Sequence, residues 1–523
     1  MTTAAASTPA ASPRARGRWR PDGPGIVLLL ALVTVVATRM VLLASNIARF
    51  ESDEAVTGVM AQRILDGDFP VYFGIQSYQG ALEQYLQAPL LALFPDTPLV
   101  LRLVQVALSA VICILVFIIG KHVLGSRWGA ALAAALFAVG PYFLALKSVR
   151  SHGGYDGAVL FGLLVVLLAL ALNRQSGRAR WVALSLGVCG GLALWENAGS
   201  VYLLIPAAIW ALGSMRGAYR RLLPWGIGGL IVGLLPVIAF RALHGINPPS
   251  GTGDPPDTTV AQRMDLLLSP VTGQFLGVRS GAPLLDRFVP AALITVIALG
   301  VLGAAVWARR RGLWEMVTLT TSRRRPVDII LLAFLLAPFI YAASTYTWYA
   351  GEPRYLFPLY PFLAIGVAAA IFAVRGRPRL ILAIGVTALS AVLLVGTIRS
   401  VYLRGGEFTS SDGGLIYTED LPEVASALSR QGIDAVYADY WVANPLQFFT
   451  GQGVAVASTG INHFPAIAGR VARDADPAIV SNSGPGADGM RATLTASGRR
   501  FSERVVGRFT IFWNIAPPWR PGA

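Results

Sequence analysis

The chain has 523 residues, is 54% hydrophobic and only 14% charged, and has a mean hydropathy of +0.59. Soluble globular chains carry nearer a quarter charged residues, so the composition excludes that class and reads as a polytopic membrane protein. A net charge of +15 would suit nucleic acid. The basic residues, however, sit in short gaps between apolar runs and form no basic face interleaved with aromatics, which excludes that partner.

In chain order, residues 1–23 are polar and Pro/Ala/Ser-rich and read as a disordered cytoplasmic N-terminus. Apolar runs follow at Pro24–Ser45, Leu99–Gly120, Trp128–Leu146, Gly157–Leu172, Trp181–Trp195, Val201–Gly213, Leu222–Leu243, Phe288–Trp307, Val327–Thr345, Tyr355–Val374 and Leu380–Thr397. They predict about eleven transmembrane helices across residues 24–398. The first run is too long for a signal-peptide core and has no small-residue cleavage site, so it is read as retained. Basic clusters such as "RARGRWR", "KHVLGSR", "MRGAYRR" and "VRGRPR" fall in alternate gaps. Roughly twenty Lys and Arg lie in those gaps against about seven in the opposite loops, which predicts an N-in/C-out topology. Cys113 and Cys189 both lie inside apolar runs and make neither a disulfide framework nor a zinc site.

The first outer loop, residues 46–98, is not a plain connector. "DEAVTGVMAQRILDGD" places Val56, Val59, Met60 and Ile64 on one face, and "GALEQYLQAPLLALF" does the same with Leu82, Tyr85 and Leu86. Two short juxtamembrane amphipathic helices are expected there, lying in the membrane interface. Beyond residue 399 the texture changes. Helix-like "LPEVASALSRQGI" and "VANPLQFFTG" alternate with strand-like "DAVYADYW", "VAVAST", "PAIVSN" and "VVGRFTIFWNI". The alternation predicts a small extracytoplasmic α/β domain over residues 399–523.

Glu51, Asp53 and Glu54 stand at the mouth of the first span, where ionised groups are costly. Ser52 would make a good N-cap, and acids in the first turn complement the helix dipole. A carboxylate there could equally deprotonate an acceptor hydroxyl. No phosphate-binding P-loop, GxSxG or HExxH motif occurs, which argues against an ATP-driven pump, a serine hydrolase or a zincin.

A first span, then an outer loop opening with Asp53-Glu54-Ala55, then "SYQGALEQYLQAPLLALF" from Ser77 to Phe94, resembles the GT-C glycosyltransferases. Within that superfamily the chain is similar to the protein O-mannosyltransferases, the aminoarabinose transferases and a bacterial family 39-like branch. The likeness is good over the first four spans, weaker in the middle, and returns at "EPRYLFPLYP". It implies an inverting transferase that takes one sugar from a polyprenyl-phosphate donor to a glycan, lipid or protein acceptor. Asp53 would be the general base, and Glu54 an alternative base or a like-charged neighbour.

Further candidates line the same side. Glu83, Tyr78 and Gln79 would contact sugar or acceptor, or Glu83 would face headgroups; Glu83 could also join Asp53 at a divalent cation, the one cofactor considered. Arg354 with Tyr355, at the start of the tenth span, would meet the phosphate or merely snorkel. Lys147, Arg150, His152 and Tyr155 crowd one short loop beyond what a connector needs, though an interfacial anchor is the plainer account. Trp195 would stack on sugar or belong to the aromatic belt, with Glu196 beside it. The Ala/Arg/Gly-heavy composition points to a high-GC bacterium, hence a plasma-membrane enzyme with an extracytoplasmic site. Two rivals stand beside this reading: a flippase of lipid-linked saccharides, which would place ionisable groups mid-span, and a non-catalytic scaffold.

Overall fold

The computed structural model describes residues 22–45, 47–245, 257–278, 291–349, 352–407, 409–411 and 414–521. The expected disordered N-terminus, residues 1–23, lies outside them except for its last two positions.

Helix α1, Gly23–Ala44, starts where Asp22 accepts from the Gly25 amide and Pro24 takes the first turn. The first loop then folds into α2 (Ser52–Leu65), a hairpin of β1 (Tyr72–Phe73) and β2 (Gln76–Gly80), and α3 (Leu82–Leu93). Helix α4, Pro98–Leu124, is capped by Thr97 and ended by Gly125 in the left-handed region. The third apolar run is broken into α5 (Arg127–Ala138) and α6 (Tyr142–Lys147), because Pro141 lacks an amide hydrogen and disfavours helix at Gly140. Next come α7 (Tyr155–Ala171), α8 (Ala179–Glu196), α9 (Val201–Met215), α10 (Tyr219–Gly233) and α11 (Leu235–His244).

Within the described residues each apolar run is mainly helical, though not every helix is of spanning length. Among the described residues six helices are long and apolar enough to cross a membrane, and seven if the bent pair α10–α11 counts as one. Arg127–Ala138, Tyr155–Ala171 and Val327–Ala343 are shorter apolar helices. The α10–α11 bend of 58° falls at Leu234, just before Pro236.

Helices α8 and α10 cross backbone on backbone. A Cβ on Gly187 would come within 2.0 Å of the Gly226 carbonyl oxygen, and one on Gly229 within 2.1 Å of that of Leu184. Only glycine lets two helices approach this far, the small-residue packing that membrane helices use.

The C-terminal residues begin with a hairpin, β3 (Thr409–Ser411) and β4 (Gly414–Ile416), after the helix Arg377–Leu403. A five-stranded sheet follows: β5 (Ala435–Ala438), β6 (Ala455–Ser458), β7 (Ala478–Asn482), β8 (Arg500–Val506) and β9 (Phe509–Ala516), in the order β6-β5-β7-β9-β8. The β6-β5-β7 half is parallel and the rest antiparallel. "VVGRFTIFWNI", expected as one strand, holds the end of β8, the hairpin turn with Gly507 at φ +55°, and most of β9. Helices Pro465–Arg473 and Pro485–Ala496 were not expected from the sequence.

This α/β unit docks on the first loop. The helix Tyr440–Thr450 packs along α2, where Gly58 faces the Phe448 ring. The Ser52 hydroxyl donates to the Tyr440 carbonyl and accepts from Asn444. Thr418 donates to the Phe50 carbonyl, and Arg49 pairs with Glu419. So α2 is buried on every face from Ala55 to Ala61, and the expected interfacial helix is instead a buried one. Its expected cap, Ser52, bonds the α/β unit instead, and the capping position falls on Glu51.

Candidate active site

Successive helix residues turn by about 100°, so neighbours on α2 face different partners. Glu54 points into the bundle, where Arg102 on α4 donates twice, at 2.5 and 2.6 Å. Both residues are buried, at 0% and 4% exposure. The expected alternative base is therefore one half of a buried bidentate ion pair that ties α2 to α4. Asp53 faces away from it and keeps partial exposure.

The turn between α6 and α7 gathers cations opposite. Glycines at 153 and 154 with φ of +73° and +67° let the chain double back sharply. Lys147 lies 4.2 Å over the Tyr155 ring and donates to His152 Nδ1, so the other ring nitrogen carries the hydrogen that faces Glu51. Arg150 reaches the same carboxylate at 3.5 Å. Burial pushes the Glu51 carboxyl up, but Arg150, His152 and Lys147 outweigh it and hold the group well below the usual carboxylate range. Burial, then neighbouring Arg354, pushes the Lys147 ammonium down to about 8, against the pull of Glu352, Glu51 and Asp53. Arg354 stacks 4.3 Å from Tyr349 and pairs with Glu352 at 3.2 Å. Asp53 lies within electrostatic range of Lys147, Arg354, Tyr155 and Tyr78. Tyr78 itself stacks on Tyr346 at 5.1 Å, and Tyr355 meets Tyr341 edge-on.

The remaining candidates hold the scaffold. Glu83 accepts from the Gly157 amide at the start of α7 (3.0 Å) and from Gln105 (3.1 Å). Burial raises its carboxyl, partly offset by those donors, the Gly154 amide and Lys147. Glu196 accepts from the Leu82 amide at 3.0 Å, capping α3, with Gly80, Gly154 and Gly157 closed round it. Trp195 is buried and donates to the Val71 carbonyl at 2.8 Å, so its ring edge pins the first loop and is no sugar platform. Gln79 is buried and its backbone pairs with Asn197. Among the described residues no three His, Cys, Asp or Glu groups come together as ligands.

Two residues the sequence reading missed meet Asp53 from the α/β unit. Tyr440 donates to Asp53 Oδ1 at 2.6 Å, and His463 Nε2 lies 3.2 Å from the same phenol oxygen. Burial, then Asp53, raises the Tyr440 phenol; burial lowers the His463 imidazole against the pull of Asp53. Both follow the carboxyl ends of parallel strands, β5 and β6, where open α/β sheets present ligand-binding groups. That position was the one signal available.

No curated protein matches the chain by sequence. Residues 80–240 match the family described as dolichyl-phosphate-mannose-protein mannosyltransferase. The fold is that of ArnT from Cupriavidus metallidurans. Its crystal structure bound to undecaprenyl phosphate aligns with a TM-score of 0.60 at 13% identity, and its apo structure with 0.60 at 12%. Each alignment covers 95% of this chain and 98% of the other. The chain thus shares the ArnT fold, and its family match spans residues 80–240. The family match takes in Glu83, the Lys147–Tyr155 turn and Glu196, while Asp53, Arg354, Tyr440 and His463 lie outside it.

Proposed function

We propose that this chain is a GT-C glycosyltransferase that moves one sugar from a polyprenyl-phosphate carrier to an acceptor hydroxyl, with inversion, at the extracytoplasmic face of a bacterial plasma membrane. One observation carries the reading: a partly exposed carboxylate, Asp53, stands at the same end of the bundle as Lys147, Arg150 and Arg354, within electrostatic range of two of them. Such an arrangement suits a reaction that needs a base on one side of a sugar and cations on the other. The binding of undecaprenyl phosphate by ArnT favours a carrier of that class.

Asp53 takes the proton from the acceptor O–H as its oxygen bonds the anomeric carbon. The bond from that carbon to the phosphate oxygen breaks, and its electron pair leaves on the polyprenyl phosphate. Lys147 and Arg354 offset the charge that develops there. Asp53 then loses its proton to water. Tyr78, within electrostatic range of Asp53, and Tyr355, beside Arg354, serve as contacts for the sugar. The acceptor is a glycan, a lipid or a protein that reaches the site from the membrane surface.

The test is transfer from a labelled polyprenyl-phosphate sugar by Asp53→Asn. A loss on the order of 10²- to 10⁴-fold is expected for a general base. Undiminished transfer removes Asp53 from the mechanism, and movement of the lipid-linked sugar across vesicles without any transfer favours a flippase instead.

A further inference from the structure

The Tyr440–His463 pair takes no part in the bond-making above, yet it holds the one carboxylate on which that chemistry turns. Asp439 caps the helix Tyr440–Thr450 by accepting from the Trp441 amide, which sets Tyr440 directly after β5. His463 is set by the turn after β6, where Asn462 accepts from the Ser458 amide and donates to the Ser458 carbonyl. Adjacent parallel strands thus deliver the two side chains to one point.

We propose that the α/β domain completes the active site: Tyr440, backed by His463, is the positioning residue for Asp53. The proposal rests on Asp53 being the base. The phenol hydrogen goes to Asp53 Oδ1, so His463 Nε2 must donate to the phenol oxygen. His463 Nδ1 is then a bare lone pair, in keeping with its burial without a partner. The chain of donors runs one way, from imidazole to phenol to carboxylate, and among the described residues no other side chain donates to Asp53. With Oδ1 held, Oδ2 is aimed at the acceptor hydroxyl. Hydrogen bonds in such a series polarise one another and fix the carboxylate's orientation.

The bond is not needed as a latch between domain and bundle. Docking already has the Ser52–Asn444 pair, the Thr418–Phe50 bond, the Arg49–Glu419 ion pair and Phe448 seated on Gly58.

The experiment measures steady-state transfer and thermal unfolding on the full-length protein. Tyr440→Phe keeps the ring and removes the hydroxyl; kcat should fall roughly 10- to 100-fold, with donor KM and Tm unchanged. His463→Gln keeps a donor and should stay within about threefold of wild type, whereas His463→Leu should lose most of what Tyr440→Phe loses. In an Asp53→Asn background Tyr440→Phe should add no further loss, because it acts through Asp53. A Tyr440→Phe enzyme with wild-type kcat, or one whose loss follows an equal fall in Tm, overturns the proposal. If Asp53→Asn is itself fully active, the base assignment has failed instead. Asp53→Asn inactive beside a fully active Tyr440→Phe sinks only the positioning role.

Discussion

Glu51, Asp53 and Glu54 lie within four positions, yet each has a different partner, because the helix turns them apart. Glu54 is paired with Arg102, Glu51 with the Lys147–His152–Arg150 group, and Asp53 with the Tyr440 phenol. Glu54→Gln leaves a buried guanidinium without its counter-ion and should cost about 3–5 kcal/mol, read as a lower unfolding temperature. Changing both partners to Met should recover much of that loss, since apolar replacement removes the stranded charge. Lys147 supplies a pH dependence. Its ammonium, pushed down to about 8, is charged below that pH and loses its charge above it. Donor KM should therefore rise as pH climbs past about 8, and Lys147→Arg should flatten that rise because guanidinium stays protonated. A wild-type donor KM that is level to pH 10 would detach Lys147 from phosphate binding.

At the scale of elements, spacing located the two loop helices but did not show that α2 is buried on every face. On helix α3, Glu83, Gln84 and Gln87 face the bundle, while Leu86 and Leu93 are exposed, the side an interfacial helix turns to lipid. Periodicity names an apolar face; it does not say whether lipid or protein covers it. Gln87 reaches Ser151 at 2.7 Å, and Glu83 meets Gly157 at the start of α7, so the polar face ties the first loop to α7 and the turn before it. The α8–α10 crossing shows a similar gap between pattern and partner. Glycines recur in "GVCGG" and "GIGGLIVG", but only the fold sets one against the other. Gly229→Leu drives a side chain into the Leu184 carbonyl and should cost at least about 1–3 kcal/mol, with loss of a monodisperse peak in detergent. Gly228→Leu meets open space and should be neutral by the same measure.

For the whole molecule, the α/β domain clamps α2 from one side while α4 holds it from the other. Asp53 is thereby carried on an element gripped at both faces, which is how rigid scaffolds fix a side chain. Orientation in the membrane is a prediction at this scale, from the basic clusters in alternate gaps. In a background with Cys113 and Cys189 replaced, Ser176→Cys and Ser497→Cys sit on exposed positions of the basic α7–α8 gap and the α/β domain. A membrane-impermeant maleimide added to intact cells should label Ser497→Cys alone. Labelling of both, or of Ser176→Cys only, would undo the N-in/C-out assignment.

Composition and hydropathy by themselves determined the membrane class, the positions of the apolar helices and the mixed texture of the C-terminal region, since each depends only on local residue type and spacing. Which partner each carboxylate of the Glu51–Glu54 stretch takes depended on Arg102, His152 and Tyr440, the last 387 residues from Asp53. Charges are satisfied by whatever the chain brings near them, and nothing in the spacing around Asp53 encodes a phenol from another domain. Only the folded chain decides that, because hydrogen bonds and ion pairs act over a few ångströms of space and are blind to distance along the sequence.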